Sequence, residues 1–240
     1  MMRCPRSMAS RPPPRAVTPT AGLCCFPIRR DDLVSGGVED VLDAAVTEGF
    51  MTPSAAADGV VHSTGFLRPV DGCPPIHLES GQLGVDLGTG GGLPGLILAG
   101  LTGGRWVLVD RGGRRCEFLT WAVRELGMAT RVEVLCADVV DVARGPLRGQ
   151  ASLVTARSFA APSITAECGA PLLAQGGRLV VSEPPEAESR WPAEALGLLG
   201  LTDEGGWHTG TAGYRALVRN GECPDRYPRR SRRRAASPLF

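Results

Sequence analysis

A chain of 240 residues, 43% of them hydrophobic and with a mean hydropathy of +0.00, has room and apolar content for one α/β domain with short additions. No apolar run reaches the roughly 18 residues of a helical membrane span, so the expectation is a soluble, cytoplasmic protein with no membrane partner. A net charge of +1 excludes a global field that draws in nucleic acid, yet all 26 basic residues are arginine, which grips phosphate through a planar fork.

Residues 1–30 carry six arginines, six prolines and no acid. They lack the apolar stretch of a secretory signal, and prolines at 12, 13 and 14 break any amphipathic targeting helix, so they read as a disordered tail. None of the eight cysteines falls in a CxxC pair and no His/Cys spacing suggests zinc; reduced thiols and no metal are expected.

An N-terminal helical segment is expected over 31–80, with helical spacing at 38–50 and again at 57–70. From residue 83 the pattern alternates. LGVDL (83–87) reads as a buried strand and PGLILAGL (94–101) as a helix with proline in its first turn. A strand at 105–110 precedes an amphipathic helix at 114–126. Further strands follow at 131–138, 151–157 and 176–183, with a helix across 161–174. A pair near 206–211 and 213–219 closes the pattern within a domain of 81–222, before a basic tail at 223–240. Such alternation predicts a mostly parallel, Rossmann-like sheet with helices on both faces and ligands at the carboxyl ends of the strands.

VDLGTGGGLPG (85–95) lies at such an end. Gly88, Gly90 and Gly92 follow the first strand directly, giving a sharp turn and bare backbone that a ligand can approach. A plain tight turn would use the same residues. Two details sharpen the reading. Asp86 lies at the turn's entry, and Asp110 ends the second strand, where an acid binds ribose hydroxyls. Dinucleotides and S-adenosylmethionine are the candidates. The spacing is GxGxG rather than GxGxxG, and a carboxylate beside the glycines suits an ammonium better than a pyrophosphate. S-adenosylmethionine is therefore preferred over a nicotinamide cofactor. A third acid, Asp138, follows the third strand; it is placed either to take an adenine amine, with Ala137 beside it, or to cap a helix.

With these pieces the chain resembles the glucose-inhibited division protein B family of small-subunit ribosomal RNA methyltransferases that modify guanine N7. DLGTGGGLPG (86–95) is similar to the family's DLGSGAGFPG, VLVDRGGRRCEFL (107–119) to its VDSxxKRxxFL, LVTARSFA (153–160) to its VxSRAFA, and RYPRRSRRRAASPLF (226–240) to its YPRRxGxPxKxPL ending. The resemblance implies a class I S-adenosylmethionine-dependent methyltransferase fold and a 16S ribosomal RNA or small-subunit partner. It implies that Gly88, Leu93, Ala137, Asp138 and Arg157 line the cofactor site, that Asp110 holds the ribose, and that Arg157 also faces the target base. His62 matches a family histidine, although a structural or surface role fits it as well. The family's arginine is Cys136 here, and its lysine after the fifth strand is replaced by Ser182–Glu183–Pro184, with Glu183 adding a negative charge at the rim. These departures bear on the acceptor, which keeps open another RNA, a small molecule, or a non-enzymatic ribosome-binding relative. For RNA contact the run Arg229, Arg230, Arg232, Arg233 and Arg234 stands out, with Arg114 and Arg115 as additions to the same face; a solvated basic tail is the alternative.

Overall fold

The alternating strands and helices become one seven-stranded sheet in the order β3-β2-β1-β4-β5-β7-β6. Its strands are β1 (Leu83–Leu87), β2 (Arg105–Asp110), β3 (Val132–Cys136), β4 (Ala151–Ala156), β5 (Leu173–Glu183), β6 (Leu201–Thr209) and β7 (Ala212–Arg219). The first five pair in parallel, and β7 runs antiparallel to both β5 and β6. This computed structural model describes residues 37–68, 74–184, 190–210, 212–230 and 236–240; the tail expected at 1–30 and Arg232, Arg233 and Arg234 lie outside the described residues.

The period-2 placement of apolar residues assigns the two faces of the sheet. Val85, Leu87, Val107, Val109 and Val154 face one core, which α6 (Val139–Arg144), α7 (Pro162–Gly169) and α8 (Ala193–Gly197) cover. Trp106, Leu108, Leu153 and Val180 face the other, beneath α1 (Gly37–Thr47), α4 (Gly95–Leu101) and α5 (Gly113–Glu125). Both faces are buried, as near-continuous apolar parallel strands require. This is the class I methyltransferase arrangement, with the glycine turn leaving β1 where the strand order reverses.

Two short helices, α2 (Pro53–Ala57) and α3 (Gly59–Thr64), lead into a single 3₁₀ turn at Gly65–Leu67. The expected helix at 57–70 is thus broken up. This N-terminal layer is tied to the far end of the sheet: Tyr214 Oη donates to the His62 carbonyl (2.7 Å) and Trp207 Nε1 to the Gly65 carbonyl (2.8 Å). Arg68 pairs with Glu204 at 2.6 Å. Those bonds hold His62 over the carboxyl ends of β4 and β5.

The C-terminal segment is bonded into the fold. Arg148 donates to the carbonyls of Tyr227 (2.8 Å) and Cys223 (3.0 Å), and Arg144 to that of Pro228 (2.7 Å). Tyr227 and Cys223 are buried in the same core as β1. Farther on, Phe240 meets the ring of Trp191 edge-on at 6.1 Å. Among the described residues no helix is long and apolar enough to cross a membrane.

Candidate active site

The glycine turn holds Gly88, Gly90 and Gly92 at φ of +64°, +62° and +107°, a region that side chains disfavour. A Cβ built on Gly90 meets only the Gly88 carbonyl oxygen, at 3.8 Å, so its bare backbone faces open space. Leu93 turns away from that space; its side chain packs with Leu42 and Ile97 under the N-terminal helices, leaving only its backbone near the turn.

Asp86 lies beneath the turn and is fully buried. Its Oδ2 accepts from the Gly95 N–H (3.0 Å) and its Oδ1 from Thr155 Oγ1 (2.8 Å), stapling the start of α4 to β1 and β4. Burial pushes its carboxyl up to about 7, against hydrogen bonds from Thr155, Thr89 and Gly95 and the Arg157 charge. Fully buried and bonded within the fold, Asp86 braces the turn from beneath, where the ammonium-binding role expected of it would need its carboxylate to open on the ligand space.

Asp110, only 3% exposed, closes β2. Oδ2 accepts from the Gly90 N–H (3.0 Å) and Oδ1 from the Gly112 N–H (2.8 Å). Arg115 reaches both oxygens only at 3.3 and 3.4 Å, and its side chain is 48% exposed. A carboxylate has about four lone-pair sites, so two hydroxyls find acceptors here once the loosely held arginine swings out. Ala137 donates its N–H to the Asp110 carbonyl (3.0 Å), drawing the ends of β2 and β3 together. Asp138 caps α6, accepting from the Val140 N–H at 2.8 Å, and remains half-buried beside that space. Bare backbone at Gly90 with carboxylates from two neighbouring strands suits a nucleoside carrying ribose hydroxyls and an exocyclic amine.

Arg157, half-buried just past β4, makes no hydrogen bond or ion pair with any described residue. Burial pulls its pKa down, and Tyr214, Asp86 and Asp58 partly offset that. Beside it a cleft of about 380 Å³ opens between the ends of β4 and β5, lined by His62, Phe159, Glu183, Arg190 and Trp191 among others. His62 forms a triangle of rings with Phe66 (5.8 Å) and Tyr214 (5.4 Å), and its buried Nδ1 has no hydrogen-bond partner among the described residues. Burial, with the Arg157 charge, lowers its pKa to about 4, so the imidazole is neutral.

The negative charge expected at the rim from Glu183 is compensated. Its carboxylate, 7% exposed, accepts from Arg215 (3.0 Å), Arg190 (3.1 Å) and Trp191 Nε1 (2.8 Å). The rim therefore presents Arg190, whose side chain is 44% exposed.

Of the arginines assigned to RNA, Arg229 is corrected. Its guanidinium forms two bonds to Glu167 of α7, Nε at 2.9 Å and Nη2 at 2.8 Å, so its donors are turned inward. Arg230 is exposed. Sequence reasoning missed Thr155, Phe159, Arg190 and Glu167; adjacency to Arg157 was the one signal available for Phe159.

A model of the family described as rRNA small subunit methyltransferase G matches residues 74–193. The chain is 36% identical over 167 residues to the Ribosomal RNA small subunit methyltransferase G of Rubrobacter xylanophilus, covering 64% of each chain. It is 31% identical over 163 residues to that of Syntrophomonas wolfei, covering 65% of this chain and 76% of the relative. The match to the first of these thus spans less than two thirds of that relative's length. Among solved structures, P. horikoshii TYW2 in complex with MeSAdo aligns with a TM-score of 0.50 at 13% identity, over 71% of this chain and 65% of that one, a likeness of fold alone. The turn at 86–95, the strand order and these relatives agree: the chain belongs to the rRNA small subunit methyltransferase G family.

Proposed function

We propose that this protein transfers a methyl group from S-adenosylmethionine to N7 of a guanine in small-subunit (16S) ribosomal RNA, in the cytoplasm. The observation that carries the reading is the open backbone of Gly90 beside Asp110 and Asp138, with the cation of Arg157, unpaired among the described residues, at the next strand end. Bound there, S-adenosylmethionine supplies an electrophilic methyl group on a sulfonium. Gly88, Gly90 and Gly92 give it backbone to lie against, Asp110 takes the ribose hydroxyls, and Ala137 and Asp138 edge the adenine.

Guanine N7 carries a lone pair and no proton, so no side chain needs to act as a general base. The chain's work is to hold the base in line and keep water out. Arg157 donates to guanine O6, leaving the N7 lone pair open to the methyl group. A neutral His62 adds no second positive charge as positive charge passes to the base. Arg190 and Arg230 meet phosphates at the rim, positioning the RNA without reading its sequence.

The test is calorimetric titration with S-adenosylhomocysteine, followed by transfer of labelled methyl to small ribosomal subunits from a strain lacking the modification. Binding, with label at a guanine that becomes sensitive to reductive aniline cleavage, supports the proposal. Binding without labelled RNA sinks the acceptor assignment, and absence of binding sinks the cofactor site.

A further inference from the structure

We propose that Phe159 is the platform on which the acceptor base stacks, and so the residue that sets the base plane against the methyl donor; this rests on the function proposed above. Three observations place it there. First, Phe159 touches both compartments. A Cβ on Gly88 would lie 2.7 Å from Phe159 Cδ2, so the ring edge lies against the first glycine of the turn, and the same side chain lines the cleft between β4 and β5. The ring thus stands on the boundary that a transferred methyl must cross.

Second, the ring is neither core nor surface. It is half-buried, packed on one side against the core that holds β1 and β4 and bordering the cleft on the other. An aromatic with one supported and one open side is what a flat heterocycle stacks on, whatever its pattern of donors.

Third, the chain accepts strain to set it. Ser158, an exposed non-glycine residue, sits at φ +50°, in the left-handed region, between Arg157 and Phe159. Such a residue persists where the surrounding geometry is required. The turn thus carries a hydrogen-bonding group and an aromatic plane on neighbouring positions of one loop: Arg157 reads the edge of the base and Phe159, which lines the cleft, its face. The other large ring in the cleft, Trp191, is less available, since it is only 4% exposed, bonded to Glu183 and packed against Phe240.

The experiment compares Phe159→Leu, which keeps apolar bulk and loses the π face, with Phe159→Tyr, which keeps both. Three readouts are taken: S-adenosylhomocysteine affinity, melting temperature, and kcat/KM for methyl transfer to unmodified small subunits. Loss of one base–aromatic stack corresponds to roughly ten- to a hundredfold. The expected result is a drop of that order for Phe159→Leu, unchanged cofactor affinity in both variants, and activity within about threefold of the parent for Phe159→Tyr. Equal activity in the two variants overturns the inference, as does a loss in Phe159→Leu that tracks weakened cofactor binding. Should Phe159→Leu melt early, Phe159→Met supplies the same comparison with a side chain that adapts to the gap. A parent protein that binds cofactor but labels no subunit overturns the acceptor assignment itself, a failure visible before any variant is made.

Discussion

Glu167 and Arg229, 62 residues apart in sequence, form a paired charge inside the protein: Glu167 is 1% exposed and takes both Nε and Nη2 of the arginine. The pair fastens the start of the basic tail to α7. Removing one partner leaves a buried charge uncompensated, which costs about 3–5 kcal/mol. Arg229→Ala is therefore expected to lose that much in urea unfolding while Arg230→Ala stays within about 0.5 kcal/mol of the parent. RNA binding should respond the other way, with Arg230→Ala lowering the salt slope by about one phosphate contact. An Arg229→Ala protein of full stability would remove the anchoring role.

The buried carboxyl of Asp86 makes a pH prediction. Its pKa is raised to about 7 from 3.8, so its contribution to stability is complete below pH 3.8 and is lost as pH rises through about 7. His62 runs oppositely. Its pKa is lowered to about 4 from 6.5, so its contribution holds above pH 6.5 and is lost as pH falls through about 4. Asp86→Asn is near-isosteric with the protonated acid; its amide oxygen accepts from Gly95 and its amine donates to a rotated Thr155 hydroxyl. The variant is expected to gain on the parent as pH rises from 4 to 7, whereas Asp86→Ala, which strands the Gly95 N–H, loses about 1–3 kcal/mol or more at every pH. Parallel stability profiles for Asp86→Asn and the parent would show that the acid does not titrate in this window.

In the proposed cofactor site Arg115 and the ribose hydroxyls compete for the Asp110 carboxylate. Asp110→Asn takes a charged acceptor from the ribose and sets an amide nitrogen against a glycine N–H, so S-adenosylhomocysteine affinity is expected to fall by about 1.5–3 kcal/mol. Arg115→Ala frees the carboxylate that the arginine reaches at 3.3 Å, and affinity should hold or rise. Calorimetry on the two variants decides it: unchanged affinity in Asp110→Asn refutes the ribose assignment.

Much of this site was legible because its signals are local. Asp110 ends a run of apolar residues, and glycines follow β1 directly, so strand end and turn chemistry sit side by side in the sequence. What escaped was held by distance. Thr155 meets Asp86 across 69 residues, and nothing in RYPRR names Glu167 as the partner of its arginine. Local irregularity hid other elements. β5 begins at Leu173 rather than 176 because Gly176, at φ +76°, lies within the strand, where the pairing to β4 shifts register between Ala151 and Leu153. The six residues of α6 are too few to show a helical period, and its Asp138 cap was the single clue.

Gly88 and Gly90 separate backbone strain from lost space. Both sit near φ +60°, so an alanine at either costs about 1–2 kcal/mol of left-handed strain. Their surroundings differ: the Gly88 methyl would press on Phe159 at 2.7 Å, while the Gly90 methyl finds no atom closer than 3.8 Å and projects into the open space beside Asp110. Gly88→Ala should therefore be the less stable variant by thermal melting, since a ring must move as well. Gly90→Ala should melt only a few degrees low yet bind S-adenosylhomocysteine at least tenfold more weakly, because its methyl stands where the ligand lies. If Gly90→Ala keeps parental affinity, the ligand does not approach the turn there, and the space that opens over Gly90 serves another purpose.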